Sequence, residues 1–209
     1  MKTLGETLID GENQFQAFFE NTQDSLEIAK TAIAFSNTYE GKIIIGIKKN
    51  GKIIGVNPQA EIQNFINITK EFCEFQSEYI FNIIQDSFRM VLEVVVPVIN
   101  KKPNYLLHNG QREVYVRSNK FNVKSNKILE NSWKFISKNN PRPLTLSDIE
   151  SEVLNFIKLN AKSSLNKIHK NMNHPIATVD FILVRLISWE LIGMEILETY
   201  SEFSIIDTP

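Results

Sequence analysis

The 209-residue sequence has a single cysteine, Cys73, and no long apolar run. One cysteine cannot form an internal disulfide, and it excludes the cysteine-rich sets that hold structural zinc. No apolar run approaches the roughly 18 residues that a membrane-spanning helix needs, and the first residues, MKTLGETLIDGENQ, lack the apolar core of a signal peptide. We therefore expect a soluble, cytoplasmic protein that does not contact a membrane, with Cys73 packed in its core.

The net charge of −1 is unevenly distributed along the chain. Between Asn100 and Asn140, nine Lys and Arg residues are opposed only by Glu113 and Glu130, which gives this segment a charge of +7, whereas the residues from Pro141 onward carry −3. A basic stretch on a nearly neutral protein suits binding to a phosphate backbone. Lysine-rich loops that are merely solvated would give the same composition, so both interpretations stay open.

The segment GIKKNGK, Gly46–Lys52, contains the glycine spacing of a phosphate-binding loop. Such a loop needs a Ser or Thr next, whose hydroxyl binds magnesium, and a helix immediately afterwards. Ile53 stands at the hydroxyl position, and an extended segment follows it. Because Asn50-Gly51 is typical of a tight hairpin turn, the sequence predicts a β-hairpin here and no nucleotide or other cofactor.

Hydrophobic periodicity predicts an α+β fold, with helices packed on a mixed or antiparallel sheet. The expected helices are Asn21–Asn37, a second that begins at Asn57-Pro58, and Lys127–Lys138; the expected strands are Lys42–Lys48, Lys52–Val56, Tyr79–Ile84, Phe88–Ile99 and Arg112–Arg117. The run Asn139–Pro143 ends all periodicity. We predict a domain boundary there, between a first domain of residues 1–140 and a second of residues 141–209.

The second domain is predicted to contain three helices and a hairpin. Ser147 is placed to cap a helix over Asp148–Leu159, a shorter helix begins at Ser163 or Ser164, and Ala177–Leu191 forms the third. The residues after it alternate like two paired strands. This order of elements is that of a small C-terminal winged helix-turn-helix.

The stretch AFSNTYEGKIIIGIKKNGKIIGV resembles the central motif of the Schlafen/AlbA-like domain, a nucleic-acid-binding module common in bacteria. The positions that match are Ala34, Phe35, Asn37, Thr38, Gly41, Gly46, Gly51, Ile53 or Ile54, and Gly55. Glu40 stands where the family has a glycine. Upstream Gly11–Gln14 and downstream Tyr115–Arg117 match two further family motifs, so that the resemblance extends from about Leu8 to Lys138.

In nuclease members of this family, carboxylates at three motif positions hold divalent cations for phosphodiester cleavage. Glu12 matches the first position, but Ala17 stands at the second and Lys48-Lys49 at the third. The resemblance therefore implies a protein with no catalytic residue and no metal site. Asp10 or Glu20 is the alternative source of a second carboxylate.

The leading hypothesis is a non-enzymatic nucleic-acid-binding protein, namely a homodimeric DNA-binding transcriptional regulator with DNA rather than RNA as its partner. The candidate phosphate contacts are Lys48, Lys49, Lys52, Arg112, Arg117, Lys120, Lys124 and Lys127. Tyr105, Tyr115 and Phe121 lie among these charges and are candidates for stacking on bases.

Two alternatives remain. One is an enzyme, either a metal-dependent endoribonuclease or a nucleotide-binding ATPase, an activity that is sometimes ascribed to members of this family. The other is an interaction module in which the winged helix dimerises and the basic face is incidental. The predicted helix Ala177–Leu191 carries few cations, so the second domain suits subunit pairing as well as base reading.

Overall fold

The computed structural model describes residues 4–138 and 140–206. The helices are α1 (Leu4–Asp10), α2 (Ser25–Asn37), α3 (Pro58–Phe72), α4 (Lys127–Ser137), α5 (Asp148–Leu159), α6 (Leu165–Asn171) and α7 (Ile176–Ser188). The strands are β1 (Gln16–Phe19), β2 (Gly41–Ile45), β3 (Ile80–Asp86), β4 (Arg89–Val96), β5 (Leu106–His108), β6 (Gln111–Glu113), β7 (Tyr115–Ser118), β8 (Phe121–Lys124), β9 (Ser163–Ser164), β10 (Ile192–Ile196) and β11 (Ser201–Ile205). The chain divides into two units, Met1–Lys124 and Ser125–Pro209.

Side-chain caps set the starts of the long helices in the first unit. Asp24 accepts a hydrogen bond from the backbone amide of Glu27 at 3.2 Å, which satisfies an amide that the first turn of α2 leaves free. Asn57 caps α3 in the same way, and Pro58 follows at a position that needs no amide hydrogen. These contacts confirm the helices that the sequence predicts in this region.

A mixed sheet in the order β1-β2-β4-β3 forms the centre of the first unit, with β1 parallel to β2 and the other pairs antiparallel. One face packs its apolar side chains against Phe35 of α2 and Phe65 of α3. Alternate residues on the other face, including Phe18 and Ile44, form a smaller cluster. The predicted α+β class with a mixed sheet is confirmed.

Buried contacts explain two residues of the central motif. The Asn37 side chain, 1% exposed, donates from Nδ2 to the backbone carbonyls of Asn104 and Tyr115, both at 3.0 Å, and its Oδ1 accepts from the amide of Asn104 at 2.7 Å. A Cβ atom at Gly41 would lie 2.1 Å from Cδ1 of Phe35. Asn37 thus ties the end of α2 to β7, and Gly41 gives room to a core aromatic ring.

Cys73 is a packed core residue, as the sequence predicts. Its side chain is buried in the cluster between the sheet and the helices. Burial raises the pKa of its thiol to about 12. The thiol is therefore protonated at neutral pH and is a poor nucleophile.

Two predicted strands differ from the observed ones. The Arg112–Arg117 segment divides at the buried Val114 into β6, which pairs with β5, and β7, which pairs with β8. The predicted return strand after the hairpin keeps only a bridge between Ile47 and Ile53, because the next two amides both donate to the carbonyl of Gly46. Alternation alone does not show where a strand changes its partner.

The second unit contains α4 as well as the elements predicted for the second domain. The Ser147 side chain caps α5 by accepting from the amide of Glu150, and the Glu150 side chain accepts from the amide of Ser147 in return. An antiparallel sheet in the order β10-β11-β9 joins the two strands after α7 to β9, which lies between α5 and α6. Helix α4 packs on α7: the rings of Phe135 and Trp189 lie 6.4 Å apart, and Ser188 Oγ donates to the carbonyl of Ser132. The predicted domain boundary at residues 139–143 lies after α4, whereas α4 belongs to the second unit, which begins at Ser125.

We expect proteases to cut first between residues 140 and 147. These residues form no helix or strand, and Leu144 is fully exposed; Asn139 of the predicted boundary lies outside the described residues. Because α4 packs on α7, the two fragments should remain associated after cleavage. The measurement is limited proteolysis followed by native size exclusion and mass spectrometry. Fragments that separate without denaturant, or uniform resistance of this stretch, would contradict the prediction.

Candidate nucleic-acid interface

The turn after β2 presents lysines on a tight hairpin. The amide of Lys48 donates to the carbonyl of Lys52 at 2.9 Å, and Gly51 adopts the positive φ of 83° that this turn requires. Lys49 and Lys52 are exposed, whereas Lys48 forms an ion pair with Glu20 at 3.7 Å. The next helix, α3, begins several residues later, so the turn does not point helix amides at a bound phosphate. The predicted tight turn at Asn50-Gly51 is present, but the strand predicted after it is reduced to the Ile47–Ile53 bridge.

Arg117 is buried and multiply hydrogen-bonded. Its guanidinium donates to the carbonyls of Asn13 and Gln16 at 3.1–3.3 Å and to Oδ1 of Asn122 at 2.9 Å, and its Cζ lies 5.0 Å from the ring centroid of Phe35. Desolvation lowers the pKa of Arg117 to about 10, opposed by the nearby carboxylates, so it remains charged at neutral pH. With 5% of its surface exposed, Arg117 joins β1 to the β7–β8 hairpin.

A cavity of about 330 Å³, here named the charged pocket, lies beside this arginine. Its charged lining residues are Glu12, Glu27, Lys49, Arg117 and Lys120. Oε1 of Glu12 accepts from the amide of Phe18 at 3.0 Å, and Oε1 of Glu27 accepts from the side chain of Asn122 at 2.8 Å. The structure thus brings one lysine of the hairpin and one of the β7–β8 turn to the same pocket.

Two other predicted phosphate contacts are engaged in ion pairs. Arg112 pairs with Glu74. Lys124 lies 2.6 Å from a carboxylate oxygen of Glu113, whose other oxygen accepts from the hydroxyl of Tyr115. The hydrogen bond from Lys124 is the main cause that lowers the pKa of Glu113. Both cations remain on the surface, but neither lines the charged pocket.

Lys127, the last predicted contact, begins α4 in the second unit. Together with Lys134 and Lys138 it lines a groove of about 500 Å³ between α4 and α7, whose apolar lining includes Phe135 and Phe181. Lys134 and Lys138 also fall in the basic stretch that the sequence reveals. Their alignment on one side of α4 becomes visible only from the packing of that helix.

The predicted stacking aromatics differ in exposure. Phe121 is 44% exposed, but Tyr105 lies under the guanidinium of Arg112, 4.1 Å from its ring centroid. The hydroxyl of Tyr115 donates a hydrogen bond to the carboxylate of Glu113, and burial raises the pKa of Tyr115 to about 12. Phe15, which sequence reasoning missed, is 50% exposed. A phenylalanine next to a strand is usually a core residue, so no signal in the sequence marks it.

Among the residues that the structure describes, the carboxylates near the family's motif positions do not form the cluster of a nuclease. Glu12 lines the charged pocket together with Ala17 and Lys49, and Glu20 is ion-paired with a lysine. Glu27, in the first turn of α2, is a second pocket carboxylate that sequence reasoning missed. Over residues 4–138 and 140–206, no group of three or more His, Cys, Asp or Glu side chains could hold a metal ion. The lysines and arginine of the same lining would repel a divalent cation.

None of the helices that the structure describes has both the length and the apolar character needed to cross a bilayer.

The sequence model of the Schlafen, AlbA_2 family matches residues 11–126. No curated protein matches the chain significantly.

The solved structures that resemble the chain include the following two. The N-terminal domain of a RecG-related protein from Nitrosomonas europaea is 17% identical, with a TM-score of 0.44, over 61% of this chain and 94% of that domain. The DIP2311 protein from Corynebacterium diphtheriae is 14% identical, also with a TM-score of 0.44, over 70% of this chain and 30% of that protein.

Proposed function

Because the chain belongs to the Schlafen AlbA_2 family, which is associated with nucleic-acid binding, we propose that it is a nucleic-acid-binding protein without catalytic activity. The observation that carries this proposal is the arrangement of Lys49 and Lys120 around one pocket, with Lys48 and Lys52 on the same hairpin. Lysines that converge from separate segments can neutralise neighbouring phosphates of one strand.

The absence of catalysis is supported by the lining of the charged pocket. Metal-assisted cleavage needs carboxylates that hold the cation and neutralise its charge. Glu12 and Glu27 are here outnumbered by Lys49, Arg117 and Lys120. The pocket is thus suited to hold an anion beside its lysines rather than to activate a water molecule on a metal.

We propose that the protein is a cytoplasmic homodimer that binds DNA and regulates transcription. We also propose that the second unit is a winged helix. The order of α5, α6, α7 and the β10–β11 hairpin supports the latter. The side of α7 that carries Phe181, Val184 and Ser188 faces α4 and the groove beside it. A helix covered in this way is poorly placed to enter a major groove, so the second unit would pair subunits while the first unit holds the nucleic acid.

Salt dependence of affinity tests the proposed interface. With about four lysine contacts, the slope of log affinity against log salt should be near −3.6 on duplex DNA and −2.8 on a single strand. The triple variant Lys48→Ala/Lys49→Ala/Lys52→Ala should flatten the slope by about two to three units, because each lost contact removes about one. The measurement is fluorescence anisotropy at several salt concentrations.

A matched control removes three exposed lysines of the second unit, Lys158→Ala/Lys167→Ala/Lys170→Ala, and should leave the slope unchanged. If the control flattens the slope and the hairpin variant does not, the second unit binds the nucleic acid and the assigned surface is wrong.

The same protein incubated with Mg²⁺ or Mn²⁺ should leave RNA and DNA intact. Cleavage that is lost in Glu12→Ala would overturn the non-catalytic assignment.

A further inference from the structure

A second cavity, of about 560 Å³ and here named the base cleft, lies next to the charged pocket and shares Glu12, Lys120 and Phe121 with it. Two segments line the base cleft, residues 12–15 and 119–121, and each contributes a phenylalanine, Phe15 or Phe121. Its volume lies within the range of pockets that hold small molecules. The base cleft is large enough for one nucleobase with its sugar.

Both phenylalanines expose about half of their surface to water, although the burial of an aromatic ring is energetically favourable. Phe15 is 50% exposed and contacts Tyr39 edge to face, with ring centroids 5.7 Å apart; Phe121 is 44% exposed. Nζ of Lys120 lies 5.5 Å from the ring centroid of Phe121. Because this ammonium group lies over one face of the ring, a base would stack on the opposite face while its phosphate meets the cation.

Polar groups suited to base edges line the same cleft. Gln14 and Asn119 are exposed, and within the described part of the chain their side chains form no hydrogen bond. An amide side chain offers both a donor and an acceptor, as a base edge does. Glu12 adds an acceptor for base amino groups, and Lys120 and Lys49 of the adjoining charged pocket are the cations available to the phosphates.

We propose that the base cleft holds one unpaired base of a single-stranded or looped nucleic acid, stacked on Phe15 or Phe121, with the adjoining phosphates on Lys49 and Lys120. This inference rests on the proposed function and narrows it. A duplex presents base edges in its grooves but keeps base faces stacked inside, so the two phenylalanine rings add nothing to duplex binding. The protein therefore prefers unpaired strands to duplexes of the same sequence.

The test compares a single-stranded DNA oligonucleotide, the same sequence as RNA, and the DNA duplex, each containing one 2-aminopurine. The single strands should bind about tenfold more tightly than the duplex, and their 2-aminopurine fluorescence should change on binding, because the base exchanges stacking on its neighbours for stacking on a phenylalanine ring. At least one of Phe121→Ala and Phe15→Ala should weaken single-strand binding about tenfold, according to the ring on which the base stacks. Duplex affinity and the salt slope should not change.

The matched control is Phe88→Ala, which removes a fully exposed phenylalanine outside the cleft and should change nothing. Circular dichroism checks that each variant is folded. Equal affinity for single strand and duplex, or equal losses on both in Phe121→Ala, would overturn the base cleft while salt-dependent binding still supports the proposed function. Absence of binding to any of the three nucleic acids would overturn both.

Discussion

Replacing Arg117 with methionine is expected to lower the free energy of unfolding by about 3–5 kcal/mol, since hydrogen bonds to a charged group contribute more than neutral ones and buried carbonyls lose their donor. Methionine matches the length of the arginine stem but donates nothing to Asn13, Gln16 or Asn122. The measurement is urea denaturation followed by circular dichroism. Arg117→Lys should recover little of the loss, because one ammonium group cannot replace the planar fork.

The matched control for this variant is Arg142→Met, which removes an exposed arginine between α4 and α5. Its free energy of unfolding should stay within about 0.5 kcal/mol of the unsubstituted protein. The opposite pattern for Arg117→Met, unchanged stability with markedly weaker nucleic-acid binding, would show that Arg117 contacts phosphate directly. The interpretation of Arg117 as a structural residue would then be wrong.

Replacing Asn37 with alanine should lower the free energy of unfolding by about 3–4 kcal/mol, because three hydrogen bonds to buried backbone groups are lost together. The amide of Asn104 and the carbonyls of Asn104 and Tyr115 would lose a partner in a site that is 1% exposed. Thermal and urea denaturation measure the effect. We also expect a loss of the ordered loop before β5, visible as faster amide exchange there.

Asn64→Ala is the control for this second variant, since Asn64 is an exposed residue of α3 with one side-chain hydrogen bond, to Thr22. The change should cost less than about 1 kcal/mol, and the better helix propensity of alanine offsets part of it. If Asn37→Ala is no more destabilising than Asn64→Ala, the three bonds do not stabilise the fold. Asn37 would then need another explanation for its place in the motif.

Local signals in the sequence predict helices α2 to α7, the caps of α2, α3 and α5, and the Asn50-Gly51 turn, whereas they predict neither α1 nor the reduction of the return strand to a bridge. Asp24, Asn57 and Ser147 act as caps because capping depends on residues within one turn, and Asn50-Gly51 forms its turn for the same reason. The family assignment is also confirmed, because the central motif combines such local features with buried positions. The C-terminal winged helix and the homodimer stay predictions.

The candidate site was less accessible to sequence reasoning, because the exposure of a charge depends on distant partners. The guanidinium of Arg117 donates hydrogen bonds to backbone carbonyls about a hundred residues earlier in the chain. Arg112 forms an ion pair with Glu74, 38 residues away. Phe15 has the residue type of a core position but lies in a surface cleft. Periodicity and composition carry no information about such long-range pairings.

The position of α4 affects how this chain can be recombined with others. The family match ends at residue 126, and α4 begins at Lys127 with an apolar side formed by Ile128 and Phe135 that packs on α7. A gene fusion joined at Lys124 would keep this amphipathic helix with the helix that covers it. A fusion joined at residue 140 would separate α4 from α7. The apolar side of α4 and the side of α7 that packs on it would both be exposed to water, and both fusion products would tend to aggregate. Exchange of the second unit during evolution is therefore expected to carry α4 with it.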